Sequence, residues 1–132
     1  MTTPQASPED VFGPVIYAYS RAQAIDDGVL VDVSETAGEA GIRFPVALTR
    51  AVYEQCVIVP PHARCQDERG RLWDVLGMTR YAIMRAPAGR TELAVSLVCL
   101  TDRGKRRVTL KAICGPGDDA EPVITVMLPE ED

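Results

Sequence analysis

Glu92-Leu-Ala-Val-Ser-Leu-Val-Cys-Leu100, Arg107-Val-Thr-Leu-Lys-Ala-Ile-Cys114 and Pro122-Val-Ile-Thr-Val-Met-Leu128 are three β-branched, apolar runs, and their reading decides the fold. Two turn sequences separate them, Thr101-Asp-Arg-Gly-Lys105 and Gly115-Pro-Gly-Asp-Asp-Ala-Glu121. Connections this short join antiparallel neighbours, because a parallel pair needs a crossover of a dozen or more residues. The C-terminal third therefore predicts a three-stranded antiparallel meander.

A meander must bury one face, and the segment before it supplies the cover. From Asp67 to Arg85, Leu72, Val75, Leu76, Thr79 and Ile83 recur at helical spacing, with Trp73 and Met84 widening the stripe. Acidic residues open this segment, and Arg80 and Arg85 lie near its end, as the helix dipole favours. Pro60-Pro61 precedes it and Ala86-Pro-Ala-Gly89 stops it. The reading is one longer amphipathic helix packed on the meander.

Further toward the N-terminus the elements shorten. Val15-Ile-Tyr-Ala-Tyr19 reads as a strand, and Ser20 as the N-cap of a helix through Ile25 that Gly28 closes. Val29 to Val33 reads as a second strand, Ser34 to Gly41 as a capped two-turn helix, and Val46 to Cys56 as helical by the spacing of Val46, Thr49/Arg50 and Tyr53. The fold class is α+β, with a flexible arm over 1–10 and a single domain over 11–132.

At 132 residues, 46% of them hydrophobic, the chain can build a core without disulfides or metal. Its formal net charge of -5 argues against gripping nucleic acid by phosphate neutralisation. A protein or a small molecule is the first expectation for a partner. The N-terminal ten residues carry neither a basic cluster nor an apolar run, so no secretory signal is expected. No apolar stretch approaches the roughly 20 residues that span a bilayer, and a cytoplasmic protein with no membrane contact is expected. Four cysteines are too sparse for a disulfide scaffold, and Cys99 and Cys114, inside apolar runs, are expected reduced and buried.

Few groups invite chemistry. His62 is the only histidine, and Cys56, His62 and Cys65 lack a fourth zinc ligand nearby, so neither metal nor cofactor is expected. Tyr17, Tyr19 and Arg21 sit where the first strand gives way to a helix, and with an acidic partner (Glu121 or Glu130) they could wall a nucleotide pocket of ADP-ribosyltransferase-like type. Asp118, Asp119 and Glu121 could hold a hard cation but equally fill an exposed turn. Arg103, Lys105, Arg106 and Arg107 form the one basic cluster, able to meet phosphate or an acidic surface, or simply to keep a hairpin tip soluble. The terminal Glu130-Glu-Asp132 reads as solvent-facing tail.

Tyr19-Ser-Arg-Ala-Gln-Ala-Ile-Asp-Asp-Gly-Val-Leu-Val-Asp-Val-Ser34, Phe44-Pro-Val-Ala-Leu-Thr-Arg-Ala-Val52, Gly70-Arg-Leu-Trp-Asp-Val-Leu76 and Val108-Thr-Leu-Lys-Ala-Ile-Cys-Gly-Pro-Gly-Asp118, with Asp10-Val-Phe-Gly13 and Glu121 to Pro129, belong together. They resemble a family of uncharacterised bacterial proteins carried by phages, plasmids and integrative elements. The resemblance transfers no site residues. It implies a setting in which small acidic proteins bind and block a host machine, as anti-defence and anti-CRISPR inhibitors do. A non-enzymatic binding protein engaging a host protein complex is the leading expectation. A small nucleotide-acting enzyme is the alternative, and nucleic-acid binding through the 103–107 hairpin a further one.

Overall fold

The computed structural model describes residues 19–63, 66–101 and 103–132. Helix α1 (Arg21–Asp26) begins at Ser20, whose hydroxyl accepts from the Gln23 amide while the Gln23 side chain returns to the Ser20 amide. This reciprocal capping satisfies two orphan amides. Gly28, at φ 80°, lets the chain turn out of the helix into β1 (Leu30–Asp32). Helix α2 (Ser34–Glu39) follows at once. Its N-cap is Val33 rather than Ser34, because the Ser34 hydroxyl is engaged with Asp32 Oδ1 and accepts from the Val46 amide. Gly41, at φ 97°, closes it.

The segment Val46 to Cys56 corrects the helical reading. Val46–Thr49 is a strand, β2, and all four residues are buried. A strand covered on both faces presents a continuous apolar run, which periodicity alone does not separate from a helix. The helix begins only at Arg50: α3 (Arg50–Val52), capped by the Thr49 hydroxyl, runs into a π-helical turn over Tyr53–Val57. Helix α4 (Glu68–Arg85) starts at Asp67, whose carboxylate accepts from the Gly70 amide. Strands β3 (Glu92–Thr101), β4 (Gly104–Pro116) and β5 (Pro122–Met127) complete the chain. The short stretch Lys105 to Arg107, read as hairpin tip, is part of β4.

The three C-terminal strands pair antiparallel as expected, and they are three-fifths of a larger mixed sheet in the order β1-β2-β5-β4-β3. Strand β2 joins it by pairing parallel to β5, with Val46 opposite Ile124, and antiparallel to β1. One face of the sheet, carrying Val46, Leu48, Val95, Leu97, Leu110, Ile124 and Val126, packs on Ala37, Val52, Cys56, Val75 and Leu76. Burial of each large aliphatic side chain contributes about 2 kcal/mol. Helix α1 lies on the opposite face, where Ala24, Ala47, Val123 and Met127 are buried apart from the main core.

Two further expectations change. Trp73 and Met84 do not widen the buried stripe of α4; they are 37% and 67% exposed, and Arg71 is buried in their stead. The C-terminal tail is anchored, since the Glu131 carboxylate accepts from the Thr49 hydroxyl and the Leu128 amide. The strand read at Val15–Tyr19 and the arm at 1–10 lie outside the described residues, apart from Tyr19 itself. Among the described residues, no helix is long and apolar enough to cross a membrane.

Candidate protein interface

The two edges of the sheet differ. Edge strand β1 has three residues and ends on Asp32, a short and charged edge of the kind that resists further pairing. Edge strand β3 has ten residues, Glu92 its only charged one and none of them proline. Among the described residues, no strand pairs with its outer side.

The register fixes which amides are free. Cys114 donates its amide to the carbonyl of Thr91 at 2.8 Å, so Thr91 and the odd-numbered positions after it exchange hydrogen bonds with β4. Ala94, Ser96, Val98 and Leu100 therefore aim their N–H and C=O groups away from the sheet. Such a row of donors and acceptors is a template for another strand.

Helix α4 overhangs this edge and makes it a groove. A cavity of about 310 Å³ includes Met78, Tyr81, Arg85 and Arg90 facing Leu93 and Ala94. A second, of about 390 Å³, includes Trp73, Gly77 and Met78 facing Ser96 and Val98. The two share Met78 and Ser96, so they are consecutive compartments along one strand. Trp73, Tyr81 and Val98 are exposed at 37%, 55% and 54%. The Arg85 guanidinium lies 5.3 Å from the centre of the Tyr81 ring. Trp, Tyr and Arg are the residues that most often anchor a protein interface. No ion pair among the described residues engages Arg85, Arg90 or Arg107 at the groove's rim.

The residues singled out from the sequence lie elsewhere. Tyr17 lies outside the described residues, while Tyr19 is exposed and its hydroxyl donates to Asp27. Arg21 donates to Thr125 Oγ1 at 2.7 Å and to the Ile124 carbonyl at 2.8 Å, binding α1 to β5. Asp118 accepts from the amides of Arg21 and Ala22, and Glu121 from the amide of Asp119. Arg21, Asp118 and Glu121 are thus neighbours across about a hundred residues; Glu121 is one of the two acidic partners the sequence offered Arg21, whereas nothing in the sequence linked Asp118 to it. Their polar atoms hold the first helix onto the last hairpin. Burial lowers the Arg21 guanidinium, opposed by Asp32, Asp118 and Glu121.

The two amides it accepts hold the Asp118 carboxylate below its ordinary value of 3.8. A depressed carboxylate contributes stability that is present above the unfolded value and lost as pH falls through the folded one. The wild-type unfolding midpoint should therefore drop below about pH 4, and Asp118→Asn should flatten that part of the curve. Urea melts between about pH 5 and pH 2 check this.

Alternation along β4 divides the basic cluster. Lys105 and Arg107 lie opposite Leu100 and Val98 on the outer face, Arg106 falls on the other face opposite Cys99, and Arg103 sits at the turn. All four are exposed. Only Arg107 reaches the groove. The sequence reading missed the groove because Trp73 read as part of the buried stripe; the run of β3 after Glu92, nine residues without a charge, was the signal that an edge was open.

Among the described residues, the α+β fold has one blunted and one open sheet edge, the open one roofed by an aromatic-bearing helix. The chain belongs to the family described as "Family of unknown function (DUF6573)", whose pattern matches residues 11–132. No curated protein and no solved structure matches it.

Proposed function

We propose that this protein is a non-enzymatic binding protein that takes up an extended segment of a partner protein as a sixth strand along β3. The observation that carries this reading is the ten-residue edge itself, with outward amides at Ala94, Ser96 and Val98 beside compartments walled by Trp73, Met78 and Tyr81. In strand addition, backbone pairing supplies affinity and pockets for alternate side chains supply specificity. The two compartments meet at Ser96, which suits side chains two positions apart on an added strand. Arg85, Arg90 and Arg107 at the rim favour acidic residues flanking an apolar segment. The mobile-element setting implied by the resemblance makes a host protein complex the partner we propose, with an anti-defence role and a cytoplasmic location.

The nucleotide-enzyme alternative needs Arg21 free to meet a ligand, and its guanidinium is bonded to Thr125 and Ile124. The two groove compartments include neither Tyr19, Arg21 nor Glu121.

Selection from a displayed random-peptide library tests the proposal. Trp73 is the only tryptophan, so its emission reports occupancy of the groove. The expected binders alternate apolar residues and carry an acidic flank, and Trp73→Ala should weaken them by about 2 kcal/mol, as a central aromatic anchor does. Binders indifferent to Trp73→Ala would place the interface elsewhere.

A further inference from the structure

A separate cavity of about 320 Å³ shares no residue with the two compartments of the groove. Helix α4 turns Arg80, Ile83 and Met84 toward it, where the groove takes Met78, Tyr81 and Arg85. Its other wall is the connection from α2 to β2, Gly41 to Phe44. Ile42 and Ile124 are buried beneath it and Ile83 is half-buried, while Phe44 and Met84 stand exposed at its mouth. A recess of about 20 Å³ shares Ile83 and Ile124 and continues the apolar floor toward Leu93 and Ala112.

The polar groups of this cavity have one sign. Arg43 and Arg80 line it, both exposed, and no carboxylate does. Among the described residues, the one ion pair joins Arg69 to Glu39, so neither guanidinium is neutralised. Gly41, at φ 97°, makes room for Arg80: a Cβ there would lie 2.7 Å from Arg80 Nε, so the side chain crosses bare backbone. The amides of Gly41, Ile42 and Ile124 are already bonded to the carbonyls of Gly38, Ala37 and Pro45. The guanidinium groups are therefore the donors a ligand would meet.

We infer that this cavity binds a small apolar carboxylic acid, its carboxylate held by Arg43 and Arg80 and its aryl or alkyl body laid on the isoleucine floor between Phe44 and Met84. Ligand sites are concave, mostly apolar and oriented by a few polar groups, and this volume falls at the small end of their range, about 300 to 1,000 Å³. Two guanidinium forks match the planar geometry of a carboxylate. The cavity lies at the C-terminal half of α4, whose partial negative charge disfavours a doubly charged head such as a phosphate monoester. The site is independent of strand addition at β3, with which it shares no residue.

The test titrates 1-naphthoate into the full-length protein and follows the isoleucine methyl resonances. Those of Ile42, Ile83 and Ile124 should shift together and saturate with a Kd of about 1 mM or tighter, as a ligand of this size gives, while Ile25 and Ile58 stay unmoved. Arg80→Gln and Arg43→Gln should each weaken binding about tenfold, and the neutral analogue 1-naphthalenemethanol should bind at least about tenfold more weakly than the acid. Four results would overturn the proposal: no saturable shift, the alcohol binding as well as the acid, 1-naphthyl phosphate binding more tightly than the acid, or shifts at the Trp73 indole in place of the three isoleucines. The comparison of acid with alcohol uses the wild-type protein alone and decides even if a variant fails to fold.

Discussion

Ser96→Pro is expected to abolish strand addition while leaving the protein folded. The Ser96 amide points away from β4, since the odd-numbered residues of β3 make the ladder. Proline at this position removes no backbone hydrogen bond of the sheet, only the exposed 3.4 Å contact that the Ser96 hydroxyl accepts from Arg107, and an edge strand tolerates it. An incoming strand loses its central acceptor contact and meets the pyrrolidine ring. Affinity for a selected peptide should fall at least about a hundredfold, equivalent to about 3 kcal/mol. The unfolding midpoint should move by only a few degrees, roughly what a loss under 1 kcal/mol gives a domain of this size. Leu97→Pro is the companion variant. Its amide faces Val108 in the ladder and its side chain is buried, so the same substitution one residue along should collapse the fold. Equal effects of the two prolines on folding would mean that the alternation is misassigned. Trp73 emission and thermal melts give both readouts.

Arg21→Met is the second change with a large effect, and it separates a structural arginine from a ligand-binding one. The guanidinium joins α1 to the Thr125 hydroxyl and the Ile124 carbonyl in a partly buried position. Removing two charge-assisted hydrogen bonds while leaving their acceptors behind should cost on the order of 3 kcal/mol. The loss belongs to the packing of α1 on the sheet, so peptide binding at the far edge should be unchanged once allowance is made for the unfolded fraction. An arginine held ready for a nucleotide would behave otherwise: its removal would leave stability nearly intact. Denaturant melts of the two proteins distinguish these outcomes.

Where local signals agreed with tertiary context, the sequence was legible. Ser20 with Gln23 marked the start of α1, and Asp67 that of α4. Gly28 and Gly41 marked helix ends through their positive φ. The meander followed from two short turn sequences. The reading failed at Val46–Thr49, where burial on both faces erased the period of a strand. Parallel pairing of β2 with β5 joins segments far apart in the chain, and no local pattern encodes it. Trp73 was misplaced for a related reason: the stripe of α4 shows which residues are apolar, not how far the helix overhangs the sheet. The candidate site was partly visible, in the uncharged run of β3. That its odd amides were paired and its even ones free required the register.

Amide exchange across β3, followed by NMR in the free protein and with a selected peptide bound, tests the central claim most directly. In the free protein Val95, Leu97 and Cys99 should be protected while Ala94, Ser96, Val98 and Leu100 exchange quickly. On binding, the second set should slow by about a hundredfold or more, the signature of a new ladder. Two results would contradict the account. A bound peptide that leaves these four amides fast would mean it does not add as a strand. Protection of all eight positions from 93 to 100 in the free protein would mean the edge is already occupied, by a second copy if the protection depends on concentration, or by residues 1–18 of the same chain if it does not.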